Sequence, residues 1–205
     1  MSAGNQTRTL DDTTAASDPG QIRLSQTKLR VLRPDLYGIG GIWKSALAFF
    51  RLGVAQRIYI EELLRCGDSR AAIVVSTTPL LIASYTDELD CVAMLSFPDD
   101  FVQQYRLAIG TRLLTVNFYG KSPNYDRDLI LGPKLIERWS GFHPVIAEFL
   151  SDDFDRITAR KKEITEDEWQ RAQTMGTEYI KLRPGVARDG RPVYSSIPAA
   201  MGTGP

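Results

Sequence analysis

Histidine and cysteine are scarce in this 205-residue chain, which has one His and two Cys. A multi-histidine metal site is thereby excluded, and His143 is left as the sole imidazole acid or base. Cys66 and Cys91 are too few for a disulfide framework and lack the spacing of a zinc site, so a reduced, cytoplasmic setting is expected. Long apolar runs are missing as well. No segment approaches the ~20 apolar residues that cross a bilayer, and the N-terminus has no basic start followed by an apolar stretch. A soluble protein without membrane attachment is expected. A surplus of one charge is also absent, because 25 Lys+Arg offset 25 Asp+Glu. No global field draws the chain to nucleic acid, and no nucleic-acid partner is expected. Even the basic run Arg160, Lys161 and Lys162 is hemmed in by Asp155, Glu163, Glu166, Asp167 and Glu168.

What is present is an ordinary globular composition, 43% hydrophobic and 24% charged, which supplies enough apolar surface for a core. The length suits one domain. Residues 1–28, rich in Thr, Ser, Asp, Gly and Gln without sustained periodicity, are predicted to be a flexible tail whose removal leaves stability almost unchanged. Residues 184–205 carry Pro184, Pro192, Pro198 and Pro205 among four glycines and form a second tail, with Val193, Tyr194 and Ile197 able to strap it to the body. A single α+β domain is expected over 29–183.

Within it, Ile42 to Cys66 shows apolar residues at spacings near three and four, which predicts one helix or two divided at Gly53. Gly67 is expected to end it in a left-handed conformation. Short apolar runs then predict strands at Ala71–Val75, Leu80–Tyr85, Cys91–Phe97 and Leu113–Tyr119, joined by turns at Thr77–Pro79 and Thr86–Asp90. Such short links make the neighbours antiparallel. Pro98, Asp99 and Asp100 predict a brief helix before the fourth strand. Leu135, Ile136 and Trp139 predict a short helix, and Pro144 at a first helical position predicts another through Leu150. Thr165 and Glu168 have the spacing of a capping box, opening a last helix that runs towards Lys181. The expected fold is therefore a mainly antiparallel sheet of about four strands packed by flanking amphipathic helices.

Candidate sites are few. Gly38, Gly40 and Gly41 precede Lys44 and Ser45 at a helix start, an order resembling part of a phosphate-binding loop. Trp43 replaces the glycine that would let phosphate approach the backbone, so a turn entering an amphipathic helix is the expected role. Asp87, Glu88 and Asp90 cluster in a turn, Asp126 and Asp128 lie in a later loop, and Asp152, Asp153 and Asp155 open an exposed segment. Carboxylates of this kind can ligate divalent cations or divide acid and base roles, but spacing alone establishes neither. No Gly-x-Ser-x-Gly elbow accompanies His143. Cys91 reads as a small buried hydrophobe, and Cys66 at a helix C-terminus meets a dipole that disfavours a thiolate. No catalytic set, resident metal or cofactor is assigned.

Tyr125 in a polar loop and Tyr194 near the C-terminus are the aromatic residues expected to contact a partner, while Trp43 and Trp139 are expected to close the core. The function expected is a non-enzymatic binding module, an accessory or immunity-type protein with a protein partner. Two alternatives stand beside it. One is a small carboxylate- and metal-dependent hydrolase or nucleotide-handling enzyme built on Asp87, Glu88, Asp90 or His143. The other is a self-associating structural component, because near-zero net charge permits homo-oligomerisation.

Overall fold

The computed structural model describes residues 16–37 and 46–193. The class is α+β. Five helices are α1 (Gln26–Leu32), α2 (Ala46–Cys66), α3 (Asp100–Gln104), α4 (Phe154–Glu163) and α5 (Glu166–Leu182). Six strands are β1 (Asp68–Thr77), β2 (Leu80–Thr86), β3 (Cys91–Phe97), β4 (Arg112–Gly120), β5 (Gly141–Ile146) and β6 (Arg188–Asp189). They form one sheet in the order β5-β4-β1-β2-β3-β6, so the sheet exceeds the expected four strands. It is mixed rather than antiparallel throughout, because β6 runs parallel to β3.

The four predicted strands form because their apolar, β-branched runs are bounded by turn residues. Both faces of the sheet are covered. Ala71, Ile73, Ala83, Tyr85, Val92 and Met94 pack beneath Trp169, Ala172 and Tyr179 of α5. A second core joins Ala72, Val74, Ile82, Leu95, Leu114 and Val116 to Leu29, Ile60, Leu64 and Phe149. Gly176 lets α5 approach: a Cβ there would stand 2.5 Å from the Ala83 Cβ.

Several expectations are corrected. The stretch from Pro144 is a strand, not a helix, since β5 pairs with β4 from Gly120↔Gly141 to Thr115↔Ile146. Proline is tolerated there because β5 is an edge strand, where a backbone donor need not be supplied to a neighbour. Leu135, Ile136 and Trp139 form no helix; their loop is held by the β2–β3 turn, with Ile136 N–H donating to Glu88 O (2.8 Å). The charged segment after Asp152 is helix α4, capped by Asp153, which accepts from Arg156 N–H, and closed by Arg160, Lys161 and Lys162 in its last turn. Of the two readings of Gly53 the undivided helix is the one found, and the glycine admits the carbonyl of Leu36, which a Cβ would meet at 2.9 Å. Gly67 is not among the left-handed glycines, and its need is space beside Val116. Only half of the capping box exists. Thr165 Oγ accepts from Glu168 N–H, whereas the Glu168 carboxylate leaves the helix to accept from Ala71 N–H (2.8 Å).

The N-terminal boundary at Lys28 also falls inside the packed body. Ile22 is buried, Gly20, Gln21 and Ile22 donate to carbonyls at the end of α2, and Ser25 caps α1. Isolated apolar residues suffice here because the backbone itself is paired. At the other end, Arg188 and Asp189 join the sheet and Pro192 O accepts from Arg33. Residues 1–15 and 194–205 lie outside the described residues.

The two edges of the sheet meet through one side chain. Arg188 of β6 donates to the carbonyl of Phe142 in β5 (2.6 Å) and pairs with Asp128 (2.6 and 2.8 Å) and Asp126 (3.0 Å). The sheet is thus curled until a guanidinium spans its open seam. Burial works against the charge on Arg188, and the two carboxylates more than offset it, raising its pKa.

Candidate functional site

The predicted carboxylates are brought to separate partners. Asp87 accepts from Arg70 Nε of β1 (3.0 Å). Asp90, buried and in a left-handed conformation, takes both Arg171 of α5 (2.6 and 2.5 Å) and Lys134 N–H (3.0 Å). Glu88 anchors the turn through its backbone, its N–H donating to Thr86 Oγ1 (3.2 Å). His143 is exposed on β5 opposite Phe118, three strands away from that turn in the sheet order. Although its surface is exposed, the protein crowded around the ring partly desolvates it, and this, aided by the nearby Arg188 charge, lowers its pKa. Asp126 and Asp128 are taken by Arg188. Among the described residues no group of three or more His, Cys, Asp or Glu side chains is arranged to hold a metal ion.

The glycines 38, 40 and 41 with Lys44 and Ser45 lie outside the described residues, as does Tyr194. Tyr125 is exposed in the loop after β4. Both cysteines are free thiols; burial and the hydrogen bond to Glu62 raise the pKa of Cys66, and burial raises that of Cys91 further. Neither is primed as a nucleophile.

Two arrangements were not legible beforehand. The first is a polar cluster where the N-terminal segment crosses the start of β1. Arg70 Nε pairs with Asp68 (2.9 Å) and Asp87, and its Nη1 with Asp18 (2.7 Å). Arg160 of α4 reaches Asp18 (3.2 Å) and Ser69 Oγ (2.9 Å). Tyr119 OH donates to Asp68 (3.2 Å) and shares a hydrogen bond with Thr86 (3.0 Å). Burial raises the Asp68 pKa to about 6; Arg70 opposes that shift, and Asp87 and Asp18 add to it. Arg70 is shared among three carboxylates, and the cluster brackets the N-terminal segment to β1 and α4.

The second is an exposed aromatic surface. Tyr59 of α2 and Phe118 of β4 meet edge to face, ring centres 5.6 Å apart, and remain 39% and 41% exposed. Ile58 beside Tyr59 is 62% exposed, and His143 is the cross-strand neighbour of Phe118. The sequence signal was the run Ile58-Tyr59-Ile60: one helix face buries only Ile60, leaving the other two apolar residues without a core to enter. On the opposite face of β4, Trp139 does not close the core as expected. It is half-buried, stacks on Tyr119 (5.9 Å), and has Lys121 and Arg138 each 5.5 Å from its ring.

No protein-family model, curated protein or solved structure matches this chain. What the fold defines is a class: an α+β protein with a six-stranded, mixed, curled sheet. No described helix is long and apolar enough to cross a membrane.

Proposed function

We propose that this chain is a non-enzymatic binding module that engages another protein through Tyr59 and Phe118. The observation that carries the proposal is the exposed pair itself. Large aromatic side chains dominate interface hot spots, and a contiguous exposed apolar surface has a cost in water that a partner removes. The buried charges support the same view from the other side. Arg33, Asp68, Arg70, Asp90, Asp128, Arg160 and Arg188 each have a hydrogen-bonded or ionic partner within the chain, so their role is to hold segments together. Free cysteines accord with a reducing compartment.

The test is comparative. Affinity capture from the native cell is run with the wild-type chain and with a Tyr59→Ala, Phe118→Ala double variant, alongside light scattering of each. The double variant is expected to lose a specifically captured protein at least tenfold. Its stability should fall by about 0.5–1.5 kcal/mol for the aromatic pair, plus the burial each ring loses, so capture is compared at a temperature where circular dichroism shows both chains folded. Equal capture by both chains would refute the assignment of the surface. A wild-type chain whose scattering mass rises with concentration, and falls in the variant, would point instead to self-association.

A further inference from the structure

We propose that the docking of Asp18–Ile22 onto the start of β1 is a pH-sensitive clasp, firmest when the Asp68 side chain carries a proton and loosened as that side chain ionises. The segment is fastened at two points. Gly20, Gln21 and Ile22 N–H donate to the carbonyls of Gly67 (3.0 Å), Arg65 (2.9 Å) and Leu64 (3.2 Å). Asp18 N–H donates to Asp68 Oδ1 (3.1 Å), and the Asp18 carbonyl accepts from Ser69 N–H (2.8 Å) and Ser69 Oγ (2.7 Å). The second fastening runs through titratable groups.

Charges face that point from every element packed around it. Carboxylates come from Asp18 in the segment, Asp68 in β1, Asp87 in the β2–β3 turn and Glu168 in α5. Two guanidinium groups oppose them, Arg70 of β1 and Arg160 of α4, and Arg160 is shared with Glu163. Arg156 of α4 is nearby but spends its donors on Gly20 O (3.0 Å) and Gln21 Oε1 (3.0 Å). Tyr119 of β4 contributes a hydroxyl. Arg70 therefore serves three carboxylates. Asp68 is the most enclosed, its side chain 4% exposed against 21% for Asp87 and 41% for Asp18.

A proton on Asp68 sits on Oδ2, where Tyr119 OH, turned to donate to Thr86, accepts it in place of donating. This removes the surplus negative charge, leaves Oδ1 able to accept from Asp18 N–H, and frees Arg70 for Asp87 and Asp18. Release of the segment would hydrate Asp68 and return its pKa from about 6 towards the ordinary carboxylate value. The closed form then binds the proton more tightly than the open form, so the clasp is strengthened below about pH 6 and weakened above it.

Native-state hydrogen exchange of the full chain tests this, reading the Gly20, Gln21 and Ile22 amides from pH 5 to 7.5 after correction for intrinsic exchange. Protection is expected to fall about tenfold over that interval in the wild type. In Asp68→Asn, which keeps the acceptor oxygen, it should change less than about twofold. Should Asp68→Asn fail to fold, Asp87→Asn is expected to move the wild-type midpoint to lower pH by removing a neighbouring negative charge. Protection independent of pH in the wild type, the same pH dependence in Asp68→Asn, or an unmoved midpoint in Asp87→Asn would each overturn the clasp.

Discussion

Arg188 connects the most distant parts of the sheet, and its four hydrogen bonds go to a carbonyl and two carboxylates that precede it by roughly fifty residues or more. Removing one partner of a buried ion pair leaves the other charge enclosed and uncompensated, which costs about 3–5 kcal/mol. Arg188→Ala is therefore expected to lower unfolding stability by that amount in urea denaturation, with Asp128 the stranded group. Arg188→Lys should recover only part of it, because an ammonium cannot reproduce the fork that spans Asp128 and Phe142 O. A loss below about 1 kcal/mol would mean that the seam is held by other contacts. The same residue blunts the exposed edge of β5. It occupies the Phe142 carbonyl, and Pro144 has no N–H to offer, so the edge presents little to a foreign strand.

At the scale of elements, the segment before α1 matters more than its composition suggests. Residues 16–28 supply buried Ile22, the Ser25 cap, and Lys28, whose ammonium donates to Glu148 O (2.9 Å) and Ser151 O (2.6 Å). Burial of one Ile side chain alone contributes about 1.5–3 kcal/mol. Deleting Met1–Lys28 should thus reduce stability by at least about 3 kcal/mol in chemical denaturation, from this burial plus the lost cap and hydrogen bonds. An unchanged midpoint would restore the tail assignment. The strands β1 to β4 and helix α5 were legible because their signals are local: apolar runs, turn residues and a Thr165 cap. Strand β5 was not. Gly141-Phe142-His143-Pro144-Val145-Ile146 fits a helix start or an edge strand equally well, and the choice was made by pairing with β4. Helix α4 carried a readable signal, acids at its start and bases at its end, that few apolar residues reinforced.

For the molecule as a whole, the balance of shifted carboxylates sets the pH dependence of stability. Burial raises the pKa of Asp68 to about 6 and also raises those of Glu148 and Glu168, despite Lys161 beside the former and Ala71 N–H beside the latter. The native state then holds protons that the unfolded chain has released. Between the ordinary carboxylate range and about pH 6, stability falls as pH rises. His143, whose pKa is lowered, opposes this trend within the same window, and carboxylates of the opposite kind act below it. Burial tends to raise the pKa of Asp18, but Arg70 and Arg160 prevail and lower it, and the Arg33 hydrogen bond lowers that of Asp35. Their stabilisation is lost as pH drops through their native values. Urea denaturation is expected to give greater stability at pH 5 than at pH 7.5, by about 1 kcal/mol after the opposing contribution of His143, with Asp68→Asn removing the difference. A rise in stability from pH 5 to 7.5 would contradict the burial assigned to Asp68.

The candidate surfaces divide in the same way. Asp87, Glu88, Asp90 and His143 were visible as residue types, but nothing in their spacing told that Asp87 would face Arg70 and Asp90 would face Arg171. The amino-acid order by itself determined the class, the four central strands, the terminal helix and the existence of a core, because burial patterns and turn chemistry act between near neighbours. Only the tertiary structure decided which charges neutralise one another, how the sheet curls shut, and which aromatic side chains are left in water. Those depend on distances between residues about 50 to 100 positions apart, as with Asp18 and Arg70 or Glu168 and Ala71, and no local preference encodes such distances.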